Sequence, residues 1–254
     1  MNETTQSLES LAGSTAIVTG ASRGFGRGVA AALSAAGAHV VGVARTSADL
    51  DHVRDVLGDD FAPVTADAAD PAAATRLIDE YQPRTLVLCA GAAPRMTPLQ
   101  EQTWESFSQN WHVDVAQAFH WIRHALKRPL APGSSVIAFS SGAAINGSPL
   151  SGGYAGANAT VRFIANYAAI ESERAGLGIN FVSVLPQLTP ATDLGAKAVA
   201  AYAEREGLDA ETFLSSRGPA LTADQVGKSV LEIAMGARSD RAYMLTSAGL
   251  SPLT

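Results

Sequence analysis

The 254-residue sequence predicts a single α/β domain, a doubly wound sheet of about seven parallel strands flanked by helices. Three observations predict it. Short β-branched apolar runs alternate with longer segments that can form helices, a glycine-rich turn follows the first run directly, and no Pro/Gly/Ser-rich linker or internal repeat divides the chain. With 47% hydrophobic residues the chain can bury a large core.

Met1 to Ser10 is polar and acidic, unlike a signal peptide, and reads as a flexible tail ahead of a domain spanning 11–254. Strands are expected at Ala16 to Val18, His39 to Val43, Phe61 to Thr65, Leu86 to Cys89, Val136 to Phe139, Asn180 to Leu185 and Tyr243 to Thr246. Most are near-continuous apolar runs, as in strands covered on both faces. Helices are expected at Gly24 to Ala36, Ala48 to Leu57, Pro71 to Glu80, Thr103 to Lys127, Tyr154 to Ala175 and near Ala223 to Met235. Residues 190–220 interrupt the alternation. An excursion after a late strand lies near the strands' carboxyl ends, where ligands bind, so this stretch is a candidate substrate lid, with a plain surface insertion as the alternative.

Charge and composition exclude several functions. A net charge of -6 provides no basic field for nucleic acid or an anionic membrane. No apolar run reaches the roughly 18 residues of a membrane span. The single cysteine, Cys89, forms no internal disulfide and fits a reducing cytoplasm. It follows an apolar run and reads as a small buried residue rather than a nucleophile.

Two stretches carry chemistry. Thr19-Gly20-Ala21-Ser22-Arg23-Gly24-Phe25-Gly26 leaves a strand and opens a helix. Glycines at 20, 24 and 26 permit a tight turn and close approach of backbone to a pyrophosphate, and the helix N-terminus supplies N–H groups for phosphate. The second stretch, Ser140 to Asn158, again takes a strand into a helix. Ser140 and Ser141 close the strand, and Tyr154 and Asn158, four apart, share a helix face.

In the preceding helix, Trp104, Phe107, Trp111, Val115, Ala118, Ile122 and Leu126 follow helical spacing and should face inward, with Asp114 among them. A buried carboxylate should be hydrogen-bonded, protonated or engaged in chemistry. His112, His120 and His124 do not share one face, and no metal site is expected.

These motifs resemble the short-chain dehydrogenase/reductase family, from Leu11 to about Leu250. Thr19 to Gly26 matches its Thr-Gly-x-x-x-Gly-x-Gly loop, Cys89-Ala90-Gly91 stands where Asn-Ala-Gly is usual, and Ser141 precedes Tyr154 by the typical thirteen residues. Pro98-Leu99, Trp104 and Phe107 resemble the entry to the family's long central helix. The resemblance implies a Rossmann-like fold and an oxidoreductase acting on a carbonyl or alcohol of a small molecule. It also implies cofactor contacts from the loop, Ala90 and Gly91, with Asp67 near the adenine. Where an NAD site carries an acid after the second strand, Ala44-Arg45 stands here, so Arg23 and Arg45 favour NADP(H) over NAD(H) by clamping a 2′-phosphate.

The catalytic set of the family is Ser, Tyr, Lys and Asn. This sequence keeps Ser141 and Tyr154 but has Asn158 for the Lys and Asp114 for the Asn, which in the family bends the helix and helps hold a water. Asn158 can still hydrogen-bond the nicotinamide ribose, but it carries no charge to lower the tyrosine pKa from about 10, so alcohol oxidation should suffer more than carbonyl reduction. Three readings follow: a weakened reductase; a repurposed member performing non-redox dehydration, isomerisation or cyclisation; or a silent dinucleotide-binding module.

Downstream, Gln187 stands where the family has Gly, and neither Thr189 nor Thr192 falls at the usual offset for a Thr near the nicotinamide. Leu188, Leu194, Met96 and Phe213 are candidates for an apolar pocket, and Arg95 for an anionic substrate group. The helix from Ala155 to Ala175 is apolar beyond one inward face. In many members of the family such a helix packs against its twin, so the resemblance implies a homodimer or homotetramer, with a fully buried monomer core as the alternative.

Overall fold

The computed structural model describes residues 11–253. In chain order its strands are β1 (Thr15–Thr19), β2 (His39–Ala44), β3 (Phe61–Thr65), β4 (Thr85–Leu88), β5 (Ser135–Phe139), β6 (Asn180–Pro186), β7 (Ala242–Thr246) and β8 (Gly249–Pro252). They form one sheet in the order β3-β2-β1-β4-β5-β6-β7-β8. The first seven pair in parallel and β8 joins β7 antiparallel. The expected parallel strands are all present; β8, only four residues and holding both Gly249 and Pro252, carries no strand signal of its own. The tail expected over 1–10 lies outside the described residues.

Strand alternation explains the continuous apolar runs. In β1, Ala16 and Val18 face a core with Val29, Val40, Val230 and Tyr243, whereas Ile17 faces a second core with Val41, Leu86, Trp121 and Phe181. The first core is covered by α1 (Gly24–Ala35), α2 (Ser47–Leu57) and α10 (Ala223–Ala234), the second by α3 (Pro71–Tyr81), α5 (Ala116–Lys127) and α7 (Gly152–Arg174). Local signals set the helix starts. Asp70 caps α3 by accepting from the Ala72 N–H, with Pro71 in the first turn, and Thr222 with Gln225 forms a capping box on α10.

The long helix expected over 103–127 is interrupted. α4 (Trp104–Asn110) passes through a π-helical turn, Trp111–Val115, into α5. The wider turn shifts the register, so the inward set does not hold throughout. Ala118 and Ile122 are buried as expected, but Trp104 is 78% exposed and Trp111 40% exposed. The aromatic anchor is instead Trp121, fully buried, whose indole N–H donates to the Ala68 carbonyl at 2.8 Å.

Residues 190–220 form α8 (Asp193–Glu206) and α9 (Ala210–Ser215), around a small core of Val199, Ala203 and Phe213. Phe213 is buried in that core, so it does not join Leu188, Leu194 and Met96 in lining a pocket. A four-residue helix, α6 (Ala143–Asn146), and a 3₁₀ turn, Leu99–Glu101, complete the elements near the sheet's carboxyl edge.

Candidate active site

The sheet reverses its winding between β1 and β4, and the glycine loop lies at that point. Gly20 has φ +69°, and a Cβ there would lie 2.9 Å from the Ala90 backbone. At Gly26 a Cβ would meet the Gly20 carbonyl oxygen at 2.1 Å, so the loop folds onto itself with no room for one more atom. Arg23, at the N-cap of α1, makes no side-chain capping bond, which leaves first-turn N–H groups available to an anion. Ser22 is half-buried beside it; the Phe25 ring packs on Phe139 at 6.5 Å, turned to the core.

Thr19 ties this loop to the end of β4. Its hydroxyl accepts from the Cys89 N–H at 2.9 Å and the Ala90 N–H at 3.2 Å, and donates to Gln117 Oε1 at 2.6 Å. Gln117 Nε2 in turn donates to the Ala90 carbonyl at 2.8 Å. Gly91 and Ala92 follow, against the π turn. Asp114 Oδ1 accepts from the Ala92 N–H at 2.8 Å, and Oδ2 accepts from Asn110 Nδ2 at 3.0 Å. Desolvation pushes the Asp114 carboxyl up to about 6, against the lowering effect of those two donors.

Beyond β5, Ser141 is half-buried, and Tyr154 sits in the first turn of α7. The start of α7 presses on α4: a Cβ on Gly153 would lie 1.9 Å from the Phe107 carbonyl oxygen. Tyr154 is thereby brought beside Asp114, Cys89 and Ser141. Desolvation raises the Tyr154 phenol to about 12; a hydrogen bond with Ser141 lowers it, and the charges of Asp114 and Cys89 raise it further. No cation contributes. Burial likewise pushes the Cys89 thiol up to about 12, which leaves it protonated and inert near neutral pH. Asn158 is buried, its Nδ2 donating back to the Tyr154 carbonyl at 3.0 Å, while its own carbonyl accepts from Ser140 Oγ at 2.8 Å.

With this geometry in place, the sequence profile described as short chain dehydrogenase matches residues 14–203. The chain belongs to that family. Human L-xylulose reductase is 41% identical over 106 residues, 41% of this chain and 43% of that protein. The L-xylulose reductase of Bos taurus is 32% identical over 184 residues, 71% of this chain and 74% of that one. Matches to the first two such relatives span 43% and 52% of their lengths, about half. A 3-ketoacyl-(acyl-carrier-protein) reductase from Brucella melitensis, solved with NADH, superposes with a TM-score of 0.77 at 22% identity, covering 93% of this chain and 98% of that one, a likeness of fold.

Other sequence-predicted residues stand apart from the cluster. Arg45 is exposed just past β2, and Asp67, beyond β3, spends Oδ1 on the Ala69 N–H at 2.9 Å. Arg23 reaches an exposed pair with Asp193 of α8 at 3.3 Å. The Thr189 hydroxyl donates to the Leu221 carbonyl at 2.8 Å, and Thr192 caps α8 through the Gly195 N–H at 3.0 Å, so both threonines serve the chain itself. His124 pairs with Asp79 at 2.9 Å, and no cluster of potential metal ligands occurs among the described residues.

Sequence reasoning missed Asn110 and Gln117. The signal was present in their spacing: they lie four residues before and three after Asp114, so polar side chains recur on a face expected to be apolar.

Proposed function

We propose that the chain is an NADP(H)-dependent reductase for the carbonyl group of a small, mainly apolar molecule, with alcohol oxidation disfavoured. The observation that carries this reading is the Ser141–Tyr154 pair, whose phenol is held neutral at the carboxyl edge beside the glycine loop. The loop fits a dinucleotide, because Gly20 and Gly26 let the backbone close into a tight turn that a Cβ would block, and α1 opens on that turn with no side-chain cap on its first N–H groups. When bound, the nicotinamide dinucleotide supplies the hydride.

Every other step belongs to the chain. Ser141 hydrogen-bonds the substrate oxygen, and Tyr154 gives that oxygen its proton. A phenol with a pKa near 12 is protonated across the physiological range, so the donor is always loaded, although a weak acid gives up its proton slowly. The reverse reaction needs phenolate, which nothing cationic nearby favours. Asp114 orders the Ala92 backbone, Asn158 holds the first turns of α7, and Arg23 and Arg45 serve a 2′-phosphate, with Asp67 on the adenine side. The apolar substrate end lies toward Leu188, Leu194 and Met96, with Arg95 exposed nearby in sequence for an anionic group.

The test is NADPH oxidation over a carbonyl panel, by absorbance and fluorescence, with Arg45→Ala alongside. Wild type should prefer NADPH, and the variant should lose about tenfold in NADPH affinity with NADH unchanged. Tighter NADH binding by the wild type would refute the arginine argument. Asp114, titrating near 6 beside Tyr154, favours a second reading, non-redox acid/base chemistry. Product formed without change in NADPH absorbance would establish it.

We also propose a homodimer or homotetramer formed through α5 and α7, because Phe119, Phe163, Tyr167 and Ile170 expose 49%, 53%, 59% and 43% of their surfaces there. Light scattering showing monomer alone would exclude it. No helix among the described residues is long and apolar enough to cross a membrane. The half-buried, unpaired Cys89 supports placement in the reducing cytoplasm.

A further inference from the structure

The α8–α9 excursion has its own small core, separate from the two cores of the sheet, so its position depends on the contacts at its margins. At its root, Gln187 Nε2 donates to the Pro219 carbonyl at 2.9 Å and Thr189 to the Leu221 carbonyl at 2.8 Å. At the cofactor side the tie is the Arg23–Asp193 pair, both side chains 75% exposed, which solvent screens to little value. The remaining margin faces the loop between α6 and α7, where the contact is of another kind.

There Tyr202 of α8, half-buried, makes a short hydrogen bond with Ser148 Oγ. Ser148 Oγ is also 2.5 Å from Ser151 Oγ, and the Leu150 N–H points to the Tyr202 oxygen at 3.5 Å. Ser151 is buried and stands at the N-cap of α7, where its carbonyl accepts the Ala155 N–H at 3.0 Å. Tyr154 lies between those two residues. From behind, the Tyr202 ring stacks on Phe213 at 6.4 Å with an 8° interplanar angle, and the Arg217 guanidinium covers the far ring at 3.5 Å. The ring is thus fixed by packing, and only its hydroxyl reaches out of the excursion.

We propose that Tyr202 is a positioning residue, whose hydroxyl bond to Ser148 latches the α8–α9 excursion onto the loop that sets the first turn of α7, so that the excursion and Tyr154 are held in place together. Ser148 also lines a groove of about 270 Å³ with Leu99, Phe107 and Pro149, which puts the latch on the wall of the space beside that loop. The catalytic consequence rests on the reductase reading above, whereas the mechanical one does not.

The variant that isolates the bond is Tyr202→Phe, which keeps the ring and its stack on Phe213. Amide hydrogen exchange on the full chain should accelerate about tenfold or more both over residues 193–215 and over residues 150–156. With a carbonyl reduced by the wild type, kcat should fall about tenfold while NADPH affinity stays within about twofold, because a displaced proton donor costs turnover rather than cofactor binding. Ser148→Ala should reproduce both effects, and the double variant should be no worse than either single one. Faster exchange confined to 193–215, or coupled exchange with wild-type kcat, overturns the proposal. If the wild type turns over no carbonyl, the reductase reading fails on its own, and exchange decides the latch: a joint rise in both segments sustains it and any other pattern overturns it.

Discussion

The turn from β1 into α1 and the segment from β5 into α7 both pass a parallel strand to a helix at the same edge of the sheet, but they depend on different physics. The first is a matter of clearance: at Gly20 and Gly26 a single added carbon meets backbone at 2.9 Å and 2.1 Å. The second is a matter of polarity. Ser141, Tyr154, Asp114 and Asn158 are set by desolvation and by neighbouring dipoles. Asp114 finds two donors, and Asn158 turns its amide onto its own helix. A site held by clearance depends on the absence of side chains, while a site held by polarity depends on which partners its side chains find.

The contrast breaks first at Tyr154. Tyr154→Phe should lower kcat for carbonyl reduction by about a thousandfold with NADPH affinity unchanged, as expected when a proton donor is removed. Retained turnover in steady-state assays would move the chemistry off this segment. Gly26→Ala should act in the opposite pattern. The clash with the Gly20 carbonyl forces the loop open, and NADPH affinity should weaken by about a hundredfold in a fluorescence titration. Wild-type affinity there would mean that the loop is not the cradle.

The same division governs what the sequence made legible. The parallel sheet and the glycine loop could be read because hydrophobic period and the steric demands of glycine are local properties. β8 could not, since four residues that include Gly249 and Pro252 pair only because β7 presents an open edge. The misjudged Trp104 and Trp111 trace to one cause: helical spacing assumes an unbroken period, and the π turn at Trp111–Val115 resets it. At the site, the spacing of Ser141, Tyr154 and Asn158 was readable, and so was the burial of Asp114. The spacing of Asn110 and Gln117 from Asp114 was readable as well, but the groups they bond, and the inward turn of the Asn158 amide, depend on how closely α4, α5 and α7 pack against the loop after β4, which one-dimensional spacing does not encode.

Asn158→Lys sharpens the polar half. A cation near the phenol should lower the Tyr154 pKa, and each unit gained stabilises phenolate by about 1.4 kcal/mol. Alcohol oxidation at pH 8 to 9 should therefore rise about tenfold, with carbonyl reduction changing less. The lysine must occupy a buried position that now holds a hydrogen-bonded amide, so thermal melting should fall by a few °C. Oxidation unchanged or slower, in an enzyme that melts normally, would show that the missing charge does not limit the reverse reaction.

The smallest effect on turnover is expected at Asp114, and its value lies in pH. The folded carboxyl titrates near 6 against a reference of 3.8, so folding favours its protonated form. Its contribution to stability is then complete below about pH 4 and is lost as pH rises through 6, because above that the ionised group is held in a site that desolvates it. Asp114→Asn cannot ionise. Relative to wild type the variant should gain a few °C in melting temperature between pH 4 and 7, and its own melting should lose that part of the pH dependence. The Asp114 charge also raises the Tyr154 pKa, so removing it should speed alcohol oxidation a few-fold above pH 7 and leave the rate at pH 5 nearly unchanged. Parallel melting curves across the whole range would mean that the carboxylate ionises as freely folded as unfolded, which would remove Asp114 from the groups that tune the phenol.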